Sequence, residues 1–177
     1  MDWTNFYLGA AGAAATLVGL LFIAVQFNID AFVLEPGNRW RAVARSTFAI
    51  YTLLFVLPLF LLIPGLDHGT RGLALLLLAS FGSVRAVITW LPVWRGLGHH
   101  RGERFGQTAW LLVGPLLAYA ALISNALTIY FTEQADGAQI AVGLTLVGLF
   151  VIALRNSWNL LFELTYERKR NSPPPPP

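Results

Sequence analysis

Arg85 is the residue whose chemistry most needs an explanation, because it lies in the middle of a long apolar segment. Arg95, at the end of that segment, is about 15 Å further along a helix, too far for comfortable snorkelling. A central arginine costs about 2.5–3.5 kcal/mol to insert into a membrane, so it must face protein, water or a counter-charge. Gly82 and Thr89 share its helix face and offer a notch and a hydroxyl neighbour. Since no acid lies at matching depth, Arg85 is a candidate for binding water, a lipid phosphate, a permeating anion or a partner's carboxylate.

A second group of polar residues forms a stripe near the end of the last apolar segment. Arg155, Asn159 and Glu163 recur at four-residue spacing and so share one helix face, with Asn156 beside it. Polar residues at the same depth in the first two apolar segments complete a predicted cluster: Gln26, Asp30, Arg45 and Ser46. These groups either hold helices together, at about 1 kcal/mol per contact, or line a binding site or pore.

Charge pairs are expected within this cluster. Asp30 is predicted to pair with Arg45 or Arg155, and Arg155 with Glu163 one turn along its own helix.

A smaller polar patch is predicted in the opposite half of the fourth apolar segment. It consists of Ser124, Asn125 and Thr128. Of these, Asn125 is a candidate for binding or for interhelical hydrogen bonding.

Small residues follow one face of the first apolar segment. Gly9, Gly12, Thr16 and Gly19 recur at spacings of three and four, and Gln26 continues the same face. Small residues at such spacing let helix backbones approach closely in a membrane. The stripe is therefore predicted to be a helix-association seam, either for tight packing inside one subunit or for contact between subunits.

Residues able to support enzymatic, metal or cofactor chemistry are scarce. The chain has no cysteine, which excludes disulfides, thiolate metal sites and cysteine nucleophiles. Its histidines are His68, His99 and His100, all in predicted loops and without a helical ligand pair. No lysine lies in an apolar segment, so a retinal Schiff base is excluded. We therefore expect no catalytic residues, no metal, no cofactor and no enzymatic activity.

The composition indicates that these residues are positioned by membrane-spanning helices. The chain has 177 residues, of which 12% are charged and 56% hydrophobic, whereas soluble domains carry about 25% charged residues. Apolar runs of transmembrane length lie at about 6–28, 43–63, 72–94, 109–131 and 139–162. The predicted fold is an all-α bundle of five transmembrane helices over residues 1–168, with a disordered Pro-rich tail over 169–177. Pro58 and Pro115 are expected to bend their helices, and Pro92 to end its helix.

The basic residues predict how this bundle lies across the membrane. With five spans, every Lys and Arg except Arg71 and Arg85 falls on one side. The positive-inside rule then places the N-terminus outside and the C-terminus in the cytoplasm. Trp90 and Trp158 fall near the inner boundary, as an aromatic belt would. The net charge of +3 is thereby explained as a topology signal, and nucleic acid is not an expected partner.

The first apolar segment resembles the opening helix of a broad set of uncharacterised small bacterial multi-pass inner-membrane proteins, some of them labelled modulators of a membrane-bound AAA protease. The resemblance covers Gly9 to Asp30: the alanine run 13–15, the Leu-Val-Gly-Leu-Leu-Phe segment 17–22, and the polar close at Gln26 and Asn28. It implies a location in the bacterial inner membrane and transfers no catalytic residue.

Two functions follow from these features. The first is a non-enzymatic protein that acts through helix–helix association, as a homo-oligomer or as a small subunit or modulator of a larger membrane complex. The alternative is a small oligomeric ion channel, anion-selective if Arg85 lies near the pore. A secondary transporter is less favoured, because five spans do not divide into two equal inverted repeats.

Overall fold

The structure, a computed structural model, describes residues 3–27, 39–97, 104–132 and 135–171, with side chains described for 3–27, 42–91, 113–132 and 137–162. These parts of the chain form five helices and no strand: α1 (Thr4–Phe27), α2 (Arg39–Leu61), α3 (His68–Leu97), α4 (Arg104–Phe131) and α5 (Ala135–Asn171). Each helix contains a segment long and apolar enough to cross a membrane: Thr4–Phe27, Ala42–Leu61, His68–Leu91, Val113–Phe131 and Gly137–Phe162. The predicted all-α class and the number of spans are confirmed.

The helices are arranged as a ring of four with one helix outside it. α2 contacts α3, α3 contacts α4, α4 contacts α5, and α5 returns to α2. α1 packs mainly on α2, and near its start Trp3 and Phe6 also lie over Gly143 of α5. We call the end of the bundle that holds the start of α3 the Arg71 end, and the opposite end the Arg155 end.

The interior of the ring is filled by large side chains. Leu54 of α2, Tyr119 of α4 and Leu149 of α5 are fully buried, as is Trp90 of α3. Because lipid tails are as apolar as leucine, such a core is held together by van der Waals packing rather than by the hydrophobic effect. Close fit between helices therefore decides which faces meet.

The closest fit lies between α3 and α4, the pair of helices with the most extensive contact. A Cβ atom added at Gly72 would lie 2.9 Å from the backbone nitrogen of Tyr130 and 3.0 Å from the carbonyl oxygen of Ala126. Ala79 and Ala86 are buried further along α3. Small residues on α3 thus bring the two backbones into contact.

The connection between α2 and α3 is a tight turn with a defined cap. Gly65 has a φ of +78°, a conformation that side chains rarely adopt. Asp67 then caps α3: its Oδ2 accepts from the backbone N–H of Thr70 at 3.1 Å, and its Oδ1 accepts from the Thr70 hydroxyl. These two hydrogen bonds, of which the one from the Thr70 hydroxyl has the larger effect, hold the pKa of Asp67 below its usual value. The carboxylate is therefore ionised and already hydrogen-bonded within the cap.

Several local predictions need correction. α3 does not end at Pro92 but continues to Leu97, so the backbone hydrogen bond that a proline removes does not end the helix here. Pro58 and Pro115 lie inside α2 and α4, and both helices continue through them; the bends expected there stay a prediction. α5 extends to Asn171 and so includes residues assigned to the tail, while residues 172–177 lie outside the described residues. Trp90 is 1% exposed and belongs to the core, not to an aromatic belt.

Candidate functional site

Arg85 lies on the outer surface of the bundle and borders a shallow groove. The groove is formed by α2, α3 and α4, and its lining residues are Ser46, Ala49, Gly82, Arg85, Ala86, Thr89 and Tyr119. The predicted grouping of Gly82, Arg85 and Thr89 on one face is therefore present. The neighbours of Arg85 on the outward side of α3 are the exposed apolar side chains of Val84 and Ile88.

The described residues around Arg85 supply no counter-charge. Its side chain is exposed, and no Asp or Glu occurs inside any of the five candidate spans. The expected small-residue notch at Gly82 is also filled: a Cβ atom added there would lie 2.7 Å from Cε1 of Tyr119. The guanidinium is therefore not accommodated at Gly82, and its exposed side chain is accessible to whatever borders the bundle at this depth.

At the Arg155 end, the described helices bring together hydroxyl and amide groups. Ser46 and Thr47 of α2 and Asn156 of α5 are the buried polar residues of the described interior. The Tyr51 hydroxyl lies 3.2 Å from the Ser157 hydroxyl, a hydrogen bond that joins α2 to α5. Asn159 is half-buried.

Gln26 and the charged members of the predicted cluster are placed differently. Gln26, Arg45 and Arg155 are exposed. Asp30 lies outside the described residues, and so does the side chain of Glu163. The expected pairs of Asp30 with Arg45 or Arg155, and of Arg155 with Glu163, remain predictions.

The smaller patch on α4 makes a contact between helices. Nδ2 of Asn125 donates to Oγ1 of Thr145 on α5 at 3.5 Å, at the outer limit for a hydrogen bond. Ser124 and Thr128 are exposed, and the Thr128 hydroxyl bonds back to the carbonyl of Ser124. Asn125 thus connects α4 to α5 in this arrangement.

The small-residue seam of α1 faces outward. Gly9, Gly12, Thr16 and Gly19 are all exposed, and a Cβ atom added at any of these glycines would meet nothing within 4 Å. The Thr16 hydroxyl donates to the carbonyl of Gly12 in its own helix. The opposite face, with Tyr7, Ala10, Ala11, Ala14 and Leu21, is the one that is buried in the bundle. Packing inside one subunit, the first alternative for this stripe, is not what the described helices show.

Sequence reasoning missed a polar cavity at the Arg71 end. A small open depression, with a cavity volume of about 30 Å³, is lined by residues from all five helices: Tyr7, Leu61, His68, Arg71, Leu75, Ile129, Gln139 and Val142. Arg71 is half-buried, and its Nε is shielded without a hydrogen-bond partner among the described residues. The usable signal was that Arg71 and Gln139 lie at the starts of two apolar segments, 72–94 and 139–162, on the same predicted side of the membrane.

Metal chemistry has no geometric support in the described parts of the chain, where no three His, Asp or Glu side chains come together to hold an ion. The candidate site therefore consists of three surface features: the Arg85 groove, the outward seam of α1 and the Arg71 cavity. Comparison with protein-family models, with curated proteins and with solved structures found no match to this chain.

Proposed function

We propose that this protein is a non-enzymatic membrane protein that works by associating with another membrane protein, as a small subunit or modulator of a larger complex. The observation that carries the proposal is Arg85, an exposed cation among exposed apolar side chains in the middle of α3. An ionisable residue at this depth is a functional candidate by default. A partner helix that presents a carboxylate at the same depth would neutralise it.

The charge distribution favours a different protein over a second copy as that partner. No span of this chain carries an acid, so a second copy cannot bring a carboxylate to Arg85 at its own depth. Two copies that met at this groove would instead place two guanidinium groups near each other. Homo-oligomers built on other surfaces are compatible with this argument.

The seam of α1 supports a second association surface. α1 lies outside the ring of four helices, and its outward glycines leave open space where a neighbouring backbone could approach. The resemblance of this helix to bacterial inner-membrane proteins, some labelled protease modulators, supports a bacterial inner membrane as the location and a modulator role as one form of the function.

A defined partner helix tests the role of Arg85. The purified full chain is placed in liposomes with a synthetic apolar transmembrane helix that bears one central Glu, and association is measured by fluorescence energy transfer. A helix with Gln in place of Glu is the reference. We expect the Glu helix to bind about five- to tenfold more tightly. Arg85→Gln should remove the difference, and Arg168→Gln, beyond the span, should preserve it. Equal binding of both helices to the unmodified protein would contradict the proposal.

Photocrosslinking in cell membranes tests the same surface in its native setting. A photoreactive residue at Ile88, beside Arg85, should form adducts with a specific polypeptide, and Arg85→Gln should reduce them. Leu144, equally apolar and exposed on α5, is the control position. Adducts with the same polypeptides at both positions would indicate collision in the membrane rather than a partner.

The ion channel is the second candidate function, and the exposure of Arg85 is the observation that favours it. Because the interior of the ring is filled by side chains such as Leu54 and Leu149, a conduit would lie between copies, with Arg85 toward the shared axis. Proteoliposome flux distinguishes this function. A channel predicts ion flux in the unmodified protein and altered anion selectivity in Arg85→Glu, whereas the association function predicts no flux in either.

A further inference from the structure

The cavity at the Arg71 end combines a cation, hydrogen-bond donors and an apolar wall. Its polar lining consists of Tyr7, His68, Arg71 and Gln139, and its apolar lining of Leu61, Leu75, Ile129 and Val142. Ligand pockets have this composition, with a few convergent polar groups on a mainly apolar wall. The cavity is distinct from the Arg85 groove, which lies further along α3 and has no lining residue in common with it.

Arg71 is the residue in this cavity that requires a ligand. Its Nε is buried and has no acceptor among the described residues, whereas buried donors in native proteins are normally paired. The carboxylate beside it in the chain, Asp67, is committed to Thr70 by two hydrogen bonds and does not line the cavity. The described residues thus leave the guanidinium facing a cavity without an anion.

The position of Arg71 in the fold strengthens this requirement. It lies in the first turn of α3, which begins at His68, where the helix dipole is already positive. α1 and α5 also begin at this end of the bundle. A positive side chain beside positive helix ends is favourable only when an anion is close to both.

We infer that this cavity binds a phosphate group, either that of an anionic lipid or inorganic phosphate. Arginine is the residue that matches phosphate oxygens best, because its planar fork donates two parallel hydrogen bonds. The Tyr7 hydroxyl and the Gln139 amide supply further donors from α1 and α5. For a lipid, only the headgroup phosphate would lie in the depression, whose cavity volume is about 30 Å³, and the glycerol and acyl chains would remain outside it. The ligand would join α1, α3 and α5 at one point.

Thermal unfolding of the full chain in an uncharged detergent separates the two sources. One arm adds phosphatidylglycerol, with phosphatidylcholine as the reference. The other adds inorganic phosphate, with chloride at equal ionic strength as the reference. A ligand of the folded state raises the midpoint in proportion to ln(1 + [L]/Kd). A rise in the first arm alone identifies a lipid headgroup, and a rise in the second identifies free phosphate; either result supports the site.

Variants test whether the rise in the unfolding midpoint results from binding in this cavity. Arg71→Gln should weaken binding of the active anion about tenfold or more, because it removes charge-assisted hydrogen bonds. Tyr7→Phe keeps the buried ring and loses only the hydroxyl, so a few-fold loss is expected. Arg168→Gln removes the same charge at the opposite end of the bundle and should bind as the unmodified protein does. Unchanged affinity in both Arg71→Gln and Tyr7→Phe would overturn the inference.

Two acids close in sequence to the start of α5 define the result that would contradict the inference. Glu133 lies outside the described residues, and so does the side chain of Asp136; both are close in sequence to the start of α5. If they are the counter-ions of Arg71, the unmodified protein binds neither anion, and the Glu133→Gln, Asp136→Asn double variant gains binding. That result would also overturn the inference.

Discussion

α1 and α3 both carry small residues on one face, and the two faces have opposite surroundings. On α1, a Cβ atom added at Gly9, Gly12 or Gly19 meets nothing within 4 Å. On α3, a Cβ atom at Gly72 meets the backbone of α4 at 2.9 Å. The stripe on α1 is the one that the sequence singled out, and yet the close approach occurs on α3. A small-residue stripe therefore predicts that backbones can approach, while the partner of each stripe is decided by the packing of the whole bundle.

The largest effect is expected at Gly72, where backbone atoms leave no room. Gly72→Ala should lower the free energy of unfolding by about 2–3 kcal/mol, because α3 and α4 must move apart. Gly12→Ala is the matched change on α1 and should be neutral or stabilising by up to about 1 kcal/mol, since alanine favours the helix. Denaturant titration of both variants in detergent measures the difference. Equal free energies of unfolding for the two variants would show that the two stripes do not differ in how tightly they are packed.

Gly82 should show an intermediate effect, because its neighbour is a side chain. Gly82→Ala would bring a methyl group within 2.7 Å of Cε1 of Tyr119, and we expect a loss of about 1 kcal/mol. A double-mutant cycle with Tyr119→Leu isolates this contact. In the Tyr119→Leu background, the alanine should be tolerated; a loss of the same size there would place the strain elsewhere.

The open stripe on α1 should affect association without affecting folding. Gly12→Leu is expected to leave the unfolding free energy within about 0.5 kcal/mol. It should reduce photocrosslinking from Ile23, on the same face, about tenfold if a partner backbone lies against the stripe. Gly148→Leu is the control, since Gly148 also has open space around it but lies on α5. Unchanged crosslinking in Gly12→Leu would remove the stripe from the association surface.

The smallest effects are expected from removing a single hydroxyl group, in one variant at a contact between helices and in the other on the exposed face of α1. Tyr51→Phe removes a hydrogen bond between α2 and α5 and should cost about 0.6–1 kcal/mol. Thr16→Ala removes a hydroxyl that bonds only within its own helix and should leave stability unchanged within about 0.5 kcal/mol. Unfolding titrations of the pair test whether polar contacts stabilise this bundle only where they join helices.

Two arginines of α3, Arg71 and Arg85, show how far reasoning from the sequence extends. Arg85 is recognisable from its depth in an apolar segment, and its lack of a counter-charge follows from the absence of acids in the spans. In the sequence, Arg71 cannot be distinguished from an ordinary loop residue. The cavity that it lines is formed with Tyr7 and Gln139, which are distant in sequence. Local pattern detects an unusual residue in its segment but does not detect a cavity lined by all five helices.

The positions of the five helices follow from the residues alone, because a membrane segment must be both long enough and apolar enough, and both properties are local. The depth of Arg85 and the neighbours of Gly82 on its helix face follow in the same way. Which face of α1 is buried, which glycines meet a backbone, and which polar residues share the Arg71 cavity required the folded chain. In a bilayer, apolar faces are equivalent toward lipid, so helix partners are chosen by close packing between distant segments, and that fit is a property of the assembled bundle.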